Sequence, residues 1–151
     1  MPALRRLFSI SVAVLALSFG TPFVATEARE FSVNGVSWNS ELSKGLESAR
    51  RSNKYVLADV YTDWCGWCKQ LDKTTFADPA MTKYLNEKFV CVKLNAEDKS
   101  EGQQAAEKNG VTGYPCALVY NSSGKLIGRI SGYMKAKEYQ AALEDILNKP
   151  Q

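Results

Sequence analysis

The run YVLADVY, from Tyr55 to Tyr61, is apolar almost throughout and carries a single charge, Asp59. A strand without polar alternation has to be covered on both faces, which in a short chain means helices packed on either side of a sheet. The flanking segments fit that arrangement. FVCVKLN (Phe89 to Asn95) reads as a second strand and CALVY (Cys116 to Tyr120) as a third, and KLIGRI, after the turn NSSG, as a fourth. Helical segments alternate with them. Asn39 or Ser40 can cap a helix running to about Ser52, with Leu42, Leu46 and Ala49 on one face. Asp78-Pro79 supplies a cap and a first-turn proline for a helix bearing Met81, Tyr84 and Leu85. Ser100-Glu101-Gly102-Gln103 reads as a capping box for a helix that ends at Asn109-Gly110. A closing helix from about Lys135 to Asn148 aligns Tyr139, Leu143, Ile146 and Leu147. Residues 29–38 read as an edge strand or a loose lead-in. The pattern predicts an α/β domain.

The N-terminus carries a different message. Arg5 and Arg6 precede an apolar stretch from Leu7 to Phe19 and a small-residue exit, which predicts an export signal, residues 1–28, cleaved after Ala28. The apolar stretch falls short of the roughly 20 residues a spanning helix needs, and an uncleaved N-terminal anchor is the alternative. Residues 29–151 then suffice for one domain. Their charge is nearly balanced, which gives no reason to expect nucleic acid as a partner. The chain contains no histidine, so histidine bases, His-containing metal sites and Cys-His nucleophile pairs are excluded.

The chemistry concentrates in DWCGWCK, Asp63 to Lys69, where strand gives way to helix. Its Cys-x-x-Cys can be half a zinc site, a structural staple or a redox pair. Zinc would need two more ligands, and only Cys91 and Cys116 remain, each isolated in an apolar strand. A staple closing so short a loop removes little entropy from the unfolded chain. A redox pair fits best. Cys65 at a helix N-terminus meets unpaired N–H groups and the positive end of the helix dipole, both of which favour thiolate. Cys68, one turn later, can close a disulfide with little backbone motion. Asp59 in a buried strand should hold its proton unusually tightly unless it has a partner, and Lys93 is the natural candidate. Such a pair near the cysteines could accept or relay the proton of Cys68. The alternative is a strand-end Asp59 turned to water and a Lys93 that snorkels. Tyr114-Pro115 sits in a turn of the kind where a cis peptide is useful.

These segments together resemble thioredoxin-fold thiol:disulfide oxidoreductases. VLADVYTDWCGWCK is similar to their active-site segment, VKLNAED to their central lysine strand, VTGYP to their cis-proline loop and NSSGKLIGRISGY to their terminal hairpin. The resemblance implies a central mixed β-sheet with helices on both faces. It implies Cys65 as attacking thiol, Cys68 as resolving thiol, and Asp59 and Lys93 as the proton-handling pair. Pro115 would lie beside the disulfide, and Tyr114 would offer backbone groups to an extended substrate. Trp64, Gly66 and Trp67 would join them in binding substrate. CKQLDKTTFADPAMTKYL and SGYMKAKEYQAAL look most like the exported reductase type represented by the C-terminal periplasmic domain of DsbD. That likeness implies a periplasmic monomer acting on disulfide-containing client proteins, with a membrane electron donor of the disulfide-reductase type, no metal, and no cofactor beyond an exposed Cys65-Cys68 redox pair. Net oxidase or isomerase activity, or a non-catalytic binding module, are the alternatives. Trp67 stands where thioredoxin has proline. Cys116, directly after the proline, is either a third redox-active thiol or a small core residue, and Cys91 reads as core.

Overall fold

Residues 30–150 are described by a computed structural model, and the predicted signal segment lies outside the described residues. The chain runs β1 (Glu30–Val33), β2 (Val36–Asn39), α1 (Leu42–Ser52), β3 (Tyr55–Tyr61), α2 (Gly66–Thr74), α3 (Pro79–Lys88), β4 (Phe89–Asn95), α4 (Glu101–Lys108), β5 (Cys116–Tyr120), β6 (Leu126–Ser131) and α5 (Ala136–Leu147). The strands form one sheet in the order β1-β2-β4-β3-β5-β6. Pairs β2·β4 and β3·β4 are parallel, while β1·β2, β3·β5 and β5·β6 are antiparallel. The sheet is therefore mixed, and β3 lies inside it, paired on both edges.

The lead-in is more than an edge strand. Residues 30–39 form a hairpin whose second strand joins the main sheet beside β4. Its turn is Asn34-Gly35, both with positive φ, the Asn-Gly pairing that two-residue hairpins favour because their backbone twist demands it.

Two capping expectations need correction. Glu41 occupies the N-cap of α1, and no side chain there caps it, because Asn39 belongs to β2 and turns its amide to the Cys91 carbonyl. The Ser43 N–H in the first turn of α1 donates instead to Glu101 Oε2 of α4, at 3.0 Å. Ser100 does sit at the N-cap of α4, but the reciprocal box is absent, since Gln103 donates to Glu107 one turn on. Glu101 thus serves the neighbouring helix. Asp78 caps α3 as expected, its Oδ1 accepting from the N–H groups of Ala80 and Met81.

Core residues fall into two layers. Trp38, Leu57, Leu71, Phe76, Leu85, Tyr139 and Leu143 fill one face, under α2, α3 and α5. Ala49, Val56, Ala58, Val60, Leu94, Ala105 and Leu118 fill the other, under α1 and α4. Alternation along β3 sends Val56, Ala58 and Val60 to one layer and Leu57 and Asp59 toward the opposite one. Close approach sets the position of α4. A methyl group on Gly102 would come within 1.9 Å of the Asn95 carbonyl oxygen at the end of β4. Gly102→Ala should therefore destabilise the fold by about 3 kcal/mol in urea unfolding, although alanine is the better helix former. Unchanged or increased stability would show that α4 does not rest on β4 in this way.

Candidate active site

The turn after β3 delivers Cys65 to the N-cap of α2. Cys65 N donates to the Thr62 carbonyl at 3.2 Å, and Asp63 N donates to Glu97 Oε2 at 2.9 Å, tying the turn to the loop after β4. Cys65 and Cys68 form a disulfide, with their Cα atoms 5.3 Å apart, and the Cys68 N–H donates to Cys65 Sγ at 3.0 Å. The helix N-terminus thus directs one of its unpaired N–H groups at the first sulfur.

The pair is not exposed. Cys65 and Cys68 are 4% and 2% accessible, while Trp64 and Trp67 are 69% and 62% accessible. The first helical turn points both sulfurs inward and leaves Trp64, Gly66 and Trp67 on the surface around them. The Tyr114-Pro115 bond is cis and immediately precedes β5. Gly132 N donates to the Pro115 carbonyl at 2.8 Å, holding that loop against the end of β6. Trp64 meets Tyr114 edge-on at 6.0 Å, and Trp67 meets Tyr133 at 5.4 Å. Trp67, Tyr114, Pro115, Gly132 and Tyr133 line a cleft of about 320 Å³.

Asp59 and Lys93 face each other across the parallel pair β3·β4, and Lys93 Nζ lies 2.8 Å from Asp59 Oδ2. Asp59 is wholly buried and Lys93 nearly so, which removes the reading of a solvent-turned Asp and a snorkelling Lys. The ammonium also bonds the carboxylate of Asp72 on α2, and it sits over the rings of Trp38 (4.9 Å), Phe76 (5.3 Å) and Tyr61 (5.5 Å). Burial pushes the Asp59 carboxyl above its ordinary range, and Lys93 only partly offsets this. Burial alone would push Lys93 down, but Asp59 and then Asp72 outweigh it and hold the ammonium above its usual range. Asp59 Oδ1 has no hydrogen-bond partner among the described residues, so one carboxylate oxygen remains available.

Two residues of this arrangement escaped the reading of the sequence. Asp72 had a usable signal, because it lies one helical turn beyond Cys68 and so shares its face of α2. Tyr133 had none, since only the packing of the loop after β6 against α2 brings it to Trp67. The other cysteines stand apart. Cys91 is core, its thiol pushed up to about 12 by burial. Cys116, also raised by burial, is buried in the layer with Val60 and Leu118, with its Sγ 3.9 Å from Ser131 Oγ. Among the described residues, no group of three or more Cys, Asp or Glu side chains is placed to hold a metal ion, and no helix is long and apolar enough to cross a membrane.

Comparison with known proteins agrees with this geometry. Residues 42–147 match the family model described as a thioredoxin-like domain. The thiol:disulfide interchange protein DsbD of Pectobacterium atrosepticum is 33% identical over 130 residues, which are 83% of this chain and 21% of that protein. The chain thus spans about a fifth of the length of the curated relatives it matches. A thioredoxin from Thermus thermophilus superposes with a TM-score of 0.68 at 21% identity, covering 76% of this chain and 89% of that one. The C-terminal domain of DsbD from Neisseria meningitidis, in its reduced form, gives 0.60 at 24% identity, covering 69% and 92%.

Proposed function

Because this chain belongs to the thioredoxin-like family, we propose that it is an exported thiol:disulfide oxidoreductase that reduces disulfides in client proteins. The observation that carries the reading is the Cys65-Cys68 disulfide at the N-cap of α2, with the Cys68 N–H aimed at Cys65 Sγ. In the reduced protein that N–H and the helix dipole favour a Cys65 thiolate. The thiolate attacks one sulfur of a client disulfide, forms a mixed disulfide and displaces the other client sulfur as a thiolate. Cys68 then gives up its proton and attacks Cys65 Sγ, closing the Cys65-Cys68 disulfide and releasing the second client sulfur. Two electrons pass from the dithiol to the client. Asp59 accepts or relays the Cys68 proton, and Lys93 and Asp72 fix its position and charge. The dithiol is the only redox group the reaction uses.

The reductive direction draws on the similarity to DsbD and on the predicted export signal. In an oxidising compartment the dithiol has to be regenerated, so an upstream donor of the membrane disulfide-reductase type belongs to the proposal. The reduction potential of Cys65-Cys68, measured against a dithiol or glutathione buffer, tests the direction. We expect a value near that of thioredoxin, about −270 mV, whereas one near that of DsbA, about −120 mV, would make the protein a net oxidant.

A further inference from the structure

Among the described residues the exposed large hydrophobic side chains are Phe31, Trp64 and Trp67, and two of these three flank the disulfide. Trp64 leans on Tyr114, toward the proline loop. Trp67 and Tyr133 border both the cleft over Pro115 and a larger one, about 500 Å³, whose lining adds Gly66 and Gln70. Its far wall is fixed, because the Tyr133 hydroxyl bonds Thr74 Oγ1 at 3.1 Å and Thr75 Oγ1 donates to the next carbonyl, Met134, at 2.6 Å. Its floor is open for no reason internal to the fold. Gly66 has no left-handed backbone to serve, a methyl group there would meet nothing within 4 Å, and glycine is a poor helix former.

We infer that this outer cleft is a specificity subsite for an apolar, preferably aromatic, side chain of the client, a few residues from its reacting cysteine. The inference rests on the reading of the protein as a disulfide reductase. The two clefts share Trp67 and Tyr133, and the outer one begins at Gly66, between the cysteines, so an occupant can be continuous with a segment docked over the disulfide. No charged side chain lines the outer cleft. A charged occupant would lose hydration without gaining a partner, whereas a ring can stack on Trp67 and Tyr133 while the Gln70 amide meets a backbone or indole polar group.

The test uses the reduced protein and synthetic disulfide peptides in which tryptophan replaces serine at each of the three positions on either side of the cysteine. At one position at least, tryptophan should raise kcat/KM about tenfold over serine, equivalent to about 1.4 kcal/mol. Gly66→Leu and Gln70→Glu, which of the two clefts alter the lining of the outer one alone, should each reduce that ratio below about twofold. The ratio cancels any shift in redox potential, since both peptides meet the same protein. A ratio near one at every position in the unaltered protein overturns the subsite while leaving the reductase reading intact. So does a ratio that survives both substitutions, which would assign the preference to the cleft over Pro115. No oxidation of the dithiol by any peptide would overturn both readings.

Discussion

Cys65→Ser should reduce the rate of insulin disulfide reduction, with dithiothreitol as electron source, by about three orders of magnitude or more. The size of the loss follows from the absence of a substitute. Cys68 lacks the N-cap position of Cys65, whose sulfur receives the Cys68 N–H, so it is a poor replacement as attacking thiolate. Cys91 has its thiol pushed up to about 12, and burial also raises Cys116, so neither supplies appreciable thiolate at neutral pH. Cys68→Ala should behave differently. It retains the attacking thiol and lacks only the resolving one, so it should accumulate a protein-client mixed disulfide, visible as a slower band on non-reducing gels and as an adduct by mass spectrometry. Both variants remove a cross-link that closes only a short loop, so their stability should remain close to that of the oxidised parent. Undiminished turnover by Cys65→Ser would overturn catalysis by this motif.

The parts of this molecule that could be read from its sequence are those set by local chemistry. YVLADVY, FVCVKLN and CALVY are strands because their apolar runs admit little else. Asp78-Pro79 starts a helix because the carboxylate satisfies N–H groups that the helix itself cannot. Asp59 and Lys93 could be paired in advance because each is the lone charge of a buried strand, and the parallel register then places them opposite each other. The features that were missed or altered depend on tertiary placement. The β1-β2 hairpin has an Asn-Gly turn, and Phe31 and Val33 alternate with Glu30 and Ser32, yet β1 is four residues long and largely exposed, too short a pattern to separate an edge strand from a loose lead-in. Ser100 and Gln103 have the sequence of a capping box, but the Glu101 carboxylate caps α1 across the fold. How far the sulfurs are covered depends on how the first turn of α2 is oriented, which no spacing of residues specifies.

Asp59→Asn should slow resolution of the mixed disulfide by about a hundredfold and also stabilise the fold increasingly as pH rises. The second effect follows from linkage. Asp59 is held above its ordinary value of 3.8 in the folded protein, so between 3.8 and that raised value the folded chain binds more protons than the unfolded one. Its contribution to stability is fully present below 3.8 and is lost as pH rises through the folded value. Beyond that point the cost amounts to about 1.4 kcal/mol for each unit by which the folded value exceeds 3.8. Asparagine does not titrate and escapes this loss. Lys93 adds no slope over the same range, because its own raised value transfers its loss to pH above 10.5. Nor does removing the Asp59 charge strand the ammonium, since the Asp72 carboxylate and three aromatic faces remain around it. Urea unfolding of the oxidised proteins at pH 4 and pH 8 should therefore show the variant gaining on the parent across the interval. A gap that stays constant would mean that Asp59 is ionised throughout, and a proton that never leaves or joins Asp59 in this range cannot be the one exchanged with Cys68.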